Sequence, residues 1–348
     1  MRKLALAFIF FIIFLVGVPV FVGTLAWVRV TDLYRGYQGS EQFVEIPPGA
    51  GSAEIGRRLA DAGVVHDTWT FKAALWWKGR GRTLKAGEYR FERPTTALDV
   101  VDKIVRGDVY GRRVTFREGL TIVEMAALYE SHRLGKASDF VAASRDVSLI
   151  ADLDPQATDL EGFLFPETYT LPRGIPASKL IALMVGRFRA VYTDDLRMRA
   201  DAAGLTTHQA ITLASLVEKE TAQPDERPIV AAVYRNRMHL GMAMQADPTI
   251  VYALEKAGRY DGNIHKDDLS INSPYNTYKY PGLPPGPIAS PGKASIEATL
   301  APADVKYLYF VSRNDGTHVF AETLEAHNRN VQKFQVEYFR HQKKARRN

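Results

Sequence analysis

The sequence predicts an α+β fold in three parts: an apolar N-terminal helix, a small β/α module, and a larger mixed α+β domain with a helical core. Three observations carry that expectation. No charged side chain occurs from Leu4 to Val28, a strand–glycine–helix pattern appears twice in the N-terminal part, and from Asp139 onward Ala/Leu-rich helical stretches alternate with long Pro-, Gly- and Tyr-rich loops.

Met1-Arg2-Lys3 precede the uncharged run, which as a helix would extend roughly 37 Å, more than a hydrocarbon core of about 30 Å. Pro19 would kink it at most. A cleaved signal peptide is the rival, because Thr24-Leu25-Ala26 loosely resembles a cleavage site, but the run exceeds the usual apolar length of such a signal. The expectation is an uncleaved transmembrane anchor over 4–28. Arg2 and Lys3 place residues 1–3 on the cytoplasmic side, although Arg29 and Arg35 just beyond the span weaken the bias.

The formal net charge of +6 is not a nucleic-acid signal once it is located. Lys343, Lys344, Arg346 and Arg347 supply four of the charges and Arg2 and Lys3 two, leaving the body near neutral. The tail at 341–348 reads as a solvated helix end, no nucleic-acid motif accompanies it, and a nucleic-acid partner is excluded. The absence of cysteine removes disulfides, thiol nucleophiles and thiolate metal sites.

A weak internal repeat runs at a constant offset of 70 residues: Ile46, Gly49 and Glu54 match Phe116, Gly119 and Glu124. Each copy reads as a short strand (43–46, 113–116), a glycine turn and an amphipathic helix (52–62, 121–130). Between them 87–91 alternates like a strand and 97–107 reads as a helix. The segment 40–110 resembles a LysM module, a small fold associated with N-acetylated glycans. Residues 111–138 form a second β-turn-helix unit or linker, and 139–340 the main domain. Within it, helices are predicted at 179–192, 207–220 and 228–240, an irregular loop at 275–292, a hairpin of 306–311 and 317–320 around Asn314-Asp315-Gly316, and a closing helix at 324–341.

The helix over 207–220 starts on a capping box, Thr206 with Gln209, and ends by delivering Glu218 and Glu220. On its wheel Ile211, Leu213, Ala214, Leu216 and Val217 form one broad arc, with Thr212, Ser215 and Lys219 on an opposite polar face. Both glutamates fall within the apolar arc, and Glu220, between Leu213 and Leu216, is slightly the more desolvated. Desolvation holds a carboxylic proton longer, as cleavage of a glycosidic bond by a general acid near neutral pH requires. The ordinary alternative is that both acids face solvent or pair with Lys219 and Arg227.

Six landmarks in order, Glu161-Gly162-Phe163-Leu164-Phe165-Pro166-Glu167-Thr168-Tyr169, Leu213 to Thr221, Gln245-Ala246-Asp247-Pro248-Thr249, Ser273-Pro274-Tyr275-Asn276-Thr277-Tyr278, Gly282-Leu283-Pro284-Pro285-Gly286, and His318 with His327-Asn328, resemble the YceG-like endolytic murein transglycosylases. The resemblance covers nearly the whole chain. It implies a lyase anchored in the bacterial inner membrane, with its catalytic domain outside the cytoplasm. Its substrate would be nascent peptidoglycan, cut between N-acetylmuramic acid and N-acetylglucosamine without water to leave 1,6-anhydro ends that terminate glycan elongation. Cell-wall synthases are the implied partners. In lytic transglycosylases the acid is a glutamate followed by Ser or Thr, which selects Glu220-Thr221 and leaves Glu218 to tune Glu220 or order Thr221.

Positive charge developing on a sugar ring calls for nearby oxygens and amides, and Gln245, Asp247 and Asn276 are candidates. Tyr275, Tyr278, Phe163, Phe165 and Tyr169 could stack on sugars, with at least two expected to be core instead. Glu161 and Glu167 are further acids bordering the same presumed cleft. Asp247 before Pro248 is also an ordinary turn or N-cap, and Asn276 can simply bridge its own loop. His208, His265, His318 and His327 lack metal-ligand spacing, so no metal and no cofactor is predicted; His318 or His327 could bond within the site or only satisfy the fold. A different class, a non-catalytic membrane-tethered glycan-binding scaffold, needs no Glu220. A water-adding muramidase would need a second indispensable carboxylate.

Overall fold

The two strand–glycine–helix segments each open a longer βααβα run. The computed structural model describes residues 13–79, 84–172 and 174–340. They form two compact units. Unit 1 holds the described residues up to Arg113 with 170–172, and unit 2 holds 114–169 and the described residues from Gly174 onward.

In unit 1 a π-helical turn, Ile13–Gly17, leads into helix α1 (Val18–Thr31), which buries Val30. Residues 1–12 of the expected anchor lie outside the described residues, and no described helix is long and apolar enough to cross a membrane. Strand β1 (Gln42–Ile46) buries Val44 and Ile46 and exposes Glu45, the alternation of a one-sided strand. Gly49 adopts φ +80°, open to glycine at little cost, and α2 (Ser52–Asp61) buries Ile55 and Leu59 one turn apart. Helix α3 (Thr68–Trp77), absent from the sequence reading, starts where the Asp67 side chain accepts the Thr70 N–H at 2.7 Å. Its apolar side chains surround the axis, so no helical stripe announces it. Strand β2 (Gly87–Phe91) pairs antiparallel with β1, Val44 opposite Tyr89. Helix α4 (Ala97–Arg106), capped by Thr96, closes the core with Val100, Val101 and Ile104. The Tyr89 hydroxyl donates to the carbonyls of Lys85 and Ile104, satisfying its buried polar end.

The second copy runs through strand β3 (Arg112–Thr115), Gly119 at φ +76°, α5 (Ile122–Ser131), α6 (Ala137–Ala143), strand β4 (Thr168–Leu171), which pairs with β3, and α7 (Ala177–Val191). The turn after the first helix repeats too, with Val64 N–H donating to Leu59 O in one copy and Leu134 N–H to Tyr129 O in the other. The division between the units falls at 113/114, beside the expected boundary at 110/111, and residues 114–138 group with the main domain in unit 2. The cause is apolar: Ile122, Met125, Ala126 and Tyr129 are buried within unit 2, and the Tyr129 hydroxyl donates to Ile175 O at 2.7 Å.

Helix α8 (Asp194–Ala202) precedes α9 (Thr207–Glu220), whose reciprocal Thr206–Gln209 capping box forms as read. Every residue from Ala210 to Val217 is buried, so on the expected polar face Thr212 and Ser215 do not meet solvent, while Lys219 does. Helices α10 (Arg227–His239), α11 (Asp247–Lys256) and α12 (Lys293–Leu300) pack around α9 with α8. Ser215 is used internally, its hydroxyl donating to Thr212 O and accepting the Ile288 N–H. The segment 275–292 is irregular, as its prolines require, yet pinned: Ile288, Ala289 and Ser290 are buried, and Pro285 O lies 2.7 Å from His208 Nε2. Gly162 at φ +84° belongs to the same packing, since a Cβ there would come within 2.5 Å of Pro287.

Strands β5 (Tyr309–Ser312) and β6 (His318–Ala321) make the expected hairpin a few residues shifted, Tyr309 opposite Ala321. Helix α13 (Leu324–Val331) passes into a π-helical turn, Gln332–Glu337, rather than continuing as α. The Asn314 amide donates to Phe334 O there, a side chain inserting into the helical ladder. The basic tail, 341–348, lies outside the described residues.

Candidate active site

Glu220 is the last residue of α9, and the chain turns extended at Thr221, φ −140°. Helices α10 and α11, the Tyr278 loop, the β5–β6 hairpin and α13 enclose a cavity of about 580 Å³ beside it, lined among others by Glu220, Arg237, Gln245, Asp247, Tyr278, Tyr309, His318, His327 and Asn328. Residue 220 as a whole is half-buried, but its carboxyl group is enclosed. Burial pushes that carboxyl up to about 7; Asp247 adds to the rise, while the Tyr234 hydrogen bond and Arg237 oppose it. The carbonyl end of a helix also disfavours an anion.

Tyr234 and Arg237 stand one turn apart on α10. The Tyr234 hydroxyl, fully buried, donates to Glu220 Oε1 at 2.5 Å. Burial and that carboxyl push the phenol well above its ordinary value, so it remains a donor. Arg237 is buried and bonded to main-chain carbonyls, Nε to Leu308 O at 2.7 Å and Nη1 to Met244 O at 2.5 Å, with its guanidinium over the Tyr309 ring. It brings a fixed cation to the cavity with no carboxylate within ion-pair distance among the described residues. Sequence reasoning missed both. The available signal was Arg237 continuing the stripe Val230, Tyr234: a cation at an apolar helical position needs partners.

Asp247 and Tyr278 meet across the cavity, the phenol donating to Asp247 Oδ1 at 2.5 Å. A buried knot brings them together: Ala246 N–H donates to Thr277 Oγ1, which lies 2.8 Å from Thr249 Oγ1, and Gln245 N–H donates to Thr277 O. Gln245 is held at φ +50°, a left-handed conformation costly for a residue with a side chain. Asp247 is the first residue of α11, with Ala246 rather than Asp247 as its N-cap.

Opposite these, His318 Nδ1 lies 2.7 Å from Glu226 Oε2, and the Thr221 hydroxyl donates to the same oxygen. Although burial opposes it, the His318 and Thr221 hydrogen bonds hold the Glu226 carboxyl below its ordinary value. Thr221 is therefore ordered by Glu226. His327 stacks on Tyr309, and burial, with Arg237 nearby, lowers its pKa, favouring the neutral imidazole.

Several expected site residues lie elsewhere. Glu218 accepts from the Gly292 N–H at 3.0 Å and the Ser295 hydroxyl at 2.7 Å, and lies 3.8 Å from Arg227. It caps the N-terminus of α12, where a helix favours negative charge, and bonds neither Glu220 nor Thr221. Asn276 is fully buried: its amide donates to Leu269 O and Ile271 O, and its oxygen accepts from the N–H groups of Tyr278 and Lys279. Its hydrogen-bonding capacity is spent on its own loop, leaving nothing for a sugar. Phe163 is core, packed on Phe188, and Phe165 and Tyr169 are buried as well. Glu167 pairs with Arg187 at 2.5 Å, away from the cavity. Tyr275 packs on Tyr252 with Lys256 above both rings.

Glu161 is the informative exception. Burial pushes it up to about 8, higher than Glu220. Yet both its oxygens accept the Ile122 N–H, at 3.1 and 3.2 Å, and one also accepts the Tyr252 hydroxyl. A cavity of about 690 Å³ adjoins it, larger than that at Glu220 but without Gln245, Asp247 or Tyr278. His265 pairs with Asp261 at the surface, and among the described residues no cluster of three or more His, Asp or Glu is placed to hold a metal ion.

The model of the YceG-like family matches residues 44–333. An endolytic murein transglycosylase of Bacillus subtilis is 30% identical over 308 residues, 84% of each chain. One from Streptococcus pneumoniae is 30% identical over 321 residues, covering 83% of this chain and 57% of its own length. The crystal structure of a YceG-like protein from Listeria monocytogenes aligns with a TM-score of 0.57 at 30% identity, covering 83% of this chain and 98% of that one.

Proposed function

This chain belongs to the YceG-like family, and from that membership and the Glu220 cavity we propose that it is a lytic transglycosylase of peptidoglycan. It cleaves the glycosidic bond between N-acetylmuramic acid and N-acetylglucosamine without water, leaving 1,6-anhydro ends and terminating the glycan strand. The run Leu4–Val28 anchors it in the bacterial plasma membrane with both units outside the cytoplasm, beside the synthases whose product it cuts. The observation that carries the reading is the Glu220 carboxyl, enclosed beside a sugar-sized cavity that it shares with Asp247, Gln245 and Tyr278, where burial pushes it up to about 7.

A carboxyl raised into that range keeps its proton nearer neutral pH than an ordinary one, which suits an acid that must also serve as base. Glu220 gives its proton to the leaving glycosidic oxygen as the C1–O bond breaks. The C6 hydroxyl of the same muramyl residue then closes on C1 and returns its proton to the Glu220 carboxylate. Atoms balance without water, and one residue suffices because the nucleophile is the substrate's own. Tyr234 fixes the rotamer of the acid. Asp247, oriented by Tyr278, supplies negative charge near the ring carbon that becomes positive, while Gln245, His318, His327 and Asn328 offer polar contacts for hydroxyl and acetamido groups.

Asp247 is the other carboxylate lining this cavity, which favours one rival, a muramidase using Asp247 to activate water. Mass analysis of glycan strands incubated with the full-length protein separates the readings. Anhydro-ended fragments are expected. Fragments heavier by one water, with reducing ends, would establish the rival, and uncut strands would leave a glycan-binding tether.

A further inference from the structure

All four tryptophans of the chain lie in unit 1 on two helices, Trp27 on α1 and Trp69, Trp76 and Trp77 on α3. Helix α3 buries Thr70, Phe71, Ala74 and Leu75 in the core, and a helix so placed ordinarily turns polar residues outward. Here the outward face carries Trp69, Trp76 and Trp77, which are 53%, 80% and 53% exposed. Exposed Lys72 stands among them. Trp27 is 43% exposed, and its ring lies 4.7 Å from that of Trp77, which in turn lies 6.2 Å from Trp76.

We propose that this face is a membrane-docking surface: the indoles of α3 sit with Trp27 in the headgroup layer of the phospholipid bilayer, so that unit 1 lies against the membrane instead of swinging on its anchor. The inference rests on Leu4–Val28 being that anchor. Continuity selects lipid as the occupant. Trp27 belongs to the apolar run and touches Trp77, so wherever the run enters a bilayer, α3 follows to the same depth. Indole suits that layer, with an apolar body and one N–H donor, and a lysine beside it meets anionic headgroups. A glycan would instead stack on aromatics in a concave groove, whereas these project from the convex side of a helix.

The test uses the full-length protein reconstituted in phosphatidylcholine–phosphatidylglycerol vesicles, as single-tryptophan versions with the other three changed to Phe. Lipids brominated near the headgroup should quench Trp76 and Trp69 about as strongly as Trp27, and vesicles should shield them from acrylamide. Quenching of Trp27 alone, with Trp69 and Trp76 open to acrylamide, would overturn the docking and leave the anchor intact. No quenching at any of the four would overturn both. Shielding by soluble glycan strands instead of vesicles would assign the face to sugar and overturn it too. Should the substituted chains misfold, the unaltered protein still decides: quenching limited to the share of emission due to Trp27 refutes the docking, and quenching well beyond it supports it.

Discussion

Unit 2 holds two enclosed glutamates that look alike by charge and differ in what surrounds their oxygens. Glu161 and Glu220 are both pushed well above the ordinary carboxyl range, and each accepts a tyrosine hydroxyl, from Tyr252 and Tyr234 respectively. Glu161 is the more strongly shifted, so ranking by pKa alone would choose it. However, its oxygens are occupied by the first N–H of α5, whereas Tyr234 is the one hydrogen-bond partner of the Glu220 carboxyl among the described residues. A raised pKa identifies a desolvated carboxyl; whether it can act depends on the lone pairs left over and on what shares its cavity.

The sharpest way to break this contrast is to exchange each acid for its amide. Glu220→Gln should lower turnover on glycan strands by about 10²–10⁴-fold with little change in thermal stability. Glu161→Gln should do the reverse, lowering stability by about 1–3 kcal/mol through the disturbed Ile122 and Tyr252 bonds while turnover per folded molecule is kept. If Glu161→Gln abolished turnover in protein that calorimetry shows to be folded, the assignment would be exchanged.

A pH series sharpens it further. A carboxyl raised from an ordinary 4.5 in the unfolded chain to about 8 in the fold binds more protons when folded across that interval. Its contribution therefore favours folding below pH 4.5 and is progressively lost as pH rises toward 8. Denaturant titrations should show Glu161→Gln to be less pH-sensitive than the parent between those values.

Tyr234→Phe removes a hydrogen bond that lowers the Glu220 pKa. The alkaline limb of the pH–kcat/KM profile should then move upward, and turnover at the optimum should fall only several-fold. An unmoved limb would detach Tyr234 from the acid. Smallest is the effect expected of Glu218→Gln: turnover within a few-fold of the parent and about 1 kcal/mol of stability lost from the α12 cap. Loss of turnover there, with Glu220→Gln still active, would reverse the choice between the two acids on α9.

Much of this was legible in the sequence because it rests on local rules. The Thr206–Gln209 box, the buried arc of α9, the glycines at 49 and 119 and the Asn314-Asp315-Gly316 turn all declare themselves within a few residues. The misses required contacts from afar. Thr212 and Ser215 read as a solvent face because nothing local reveals the helices packed against it. Asn276 read as a sugar ligand because its partners are main-chain atoms of its own irregular loop. Tyr234 and Arg237 were invisible as site residues because their meaning comes from Glu220 on one side and the carbonyls of Met244 and Leu308 on the other. Helix α3 was overlooked for the apolar outer surface that sets it apart.

Gln245 carries one last implication. A side chain held at φ +50° costs about 1 kcal/mol relative to glycine, so drift governed by thermal robustness alone would replace it. Engineering the protein for heat tolerance would nominate this residue early, and the exchange would trim the wall of the Glu220 cavity. Sturdiness and activity are set against each other at this single backbone torsion.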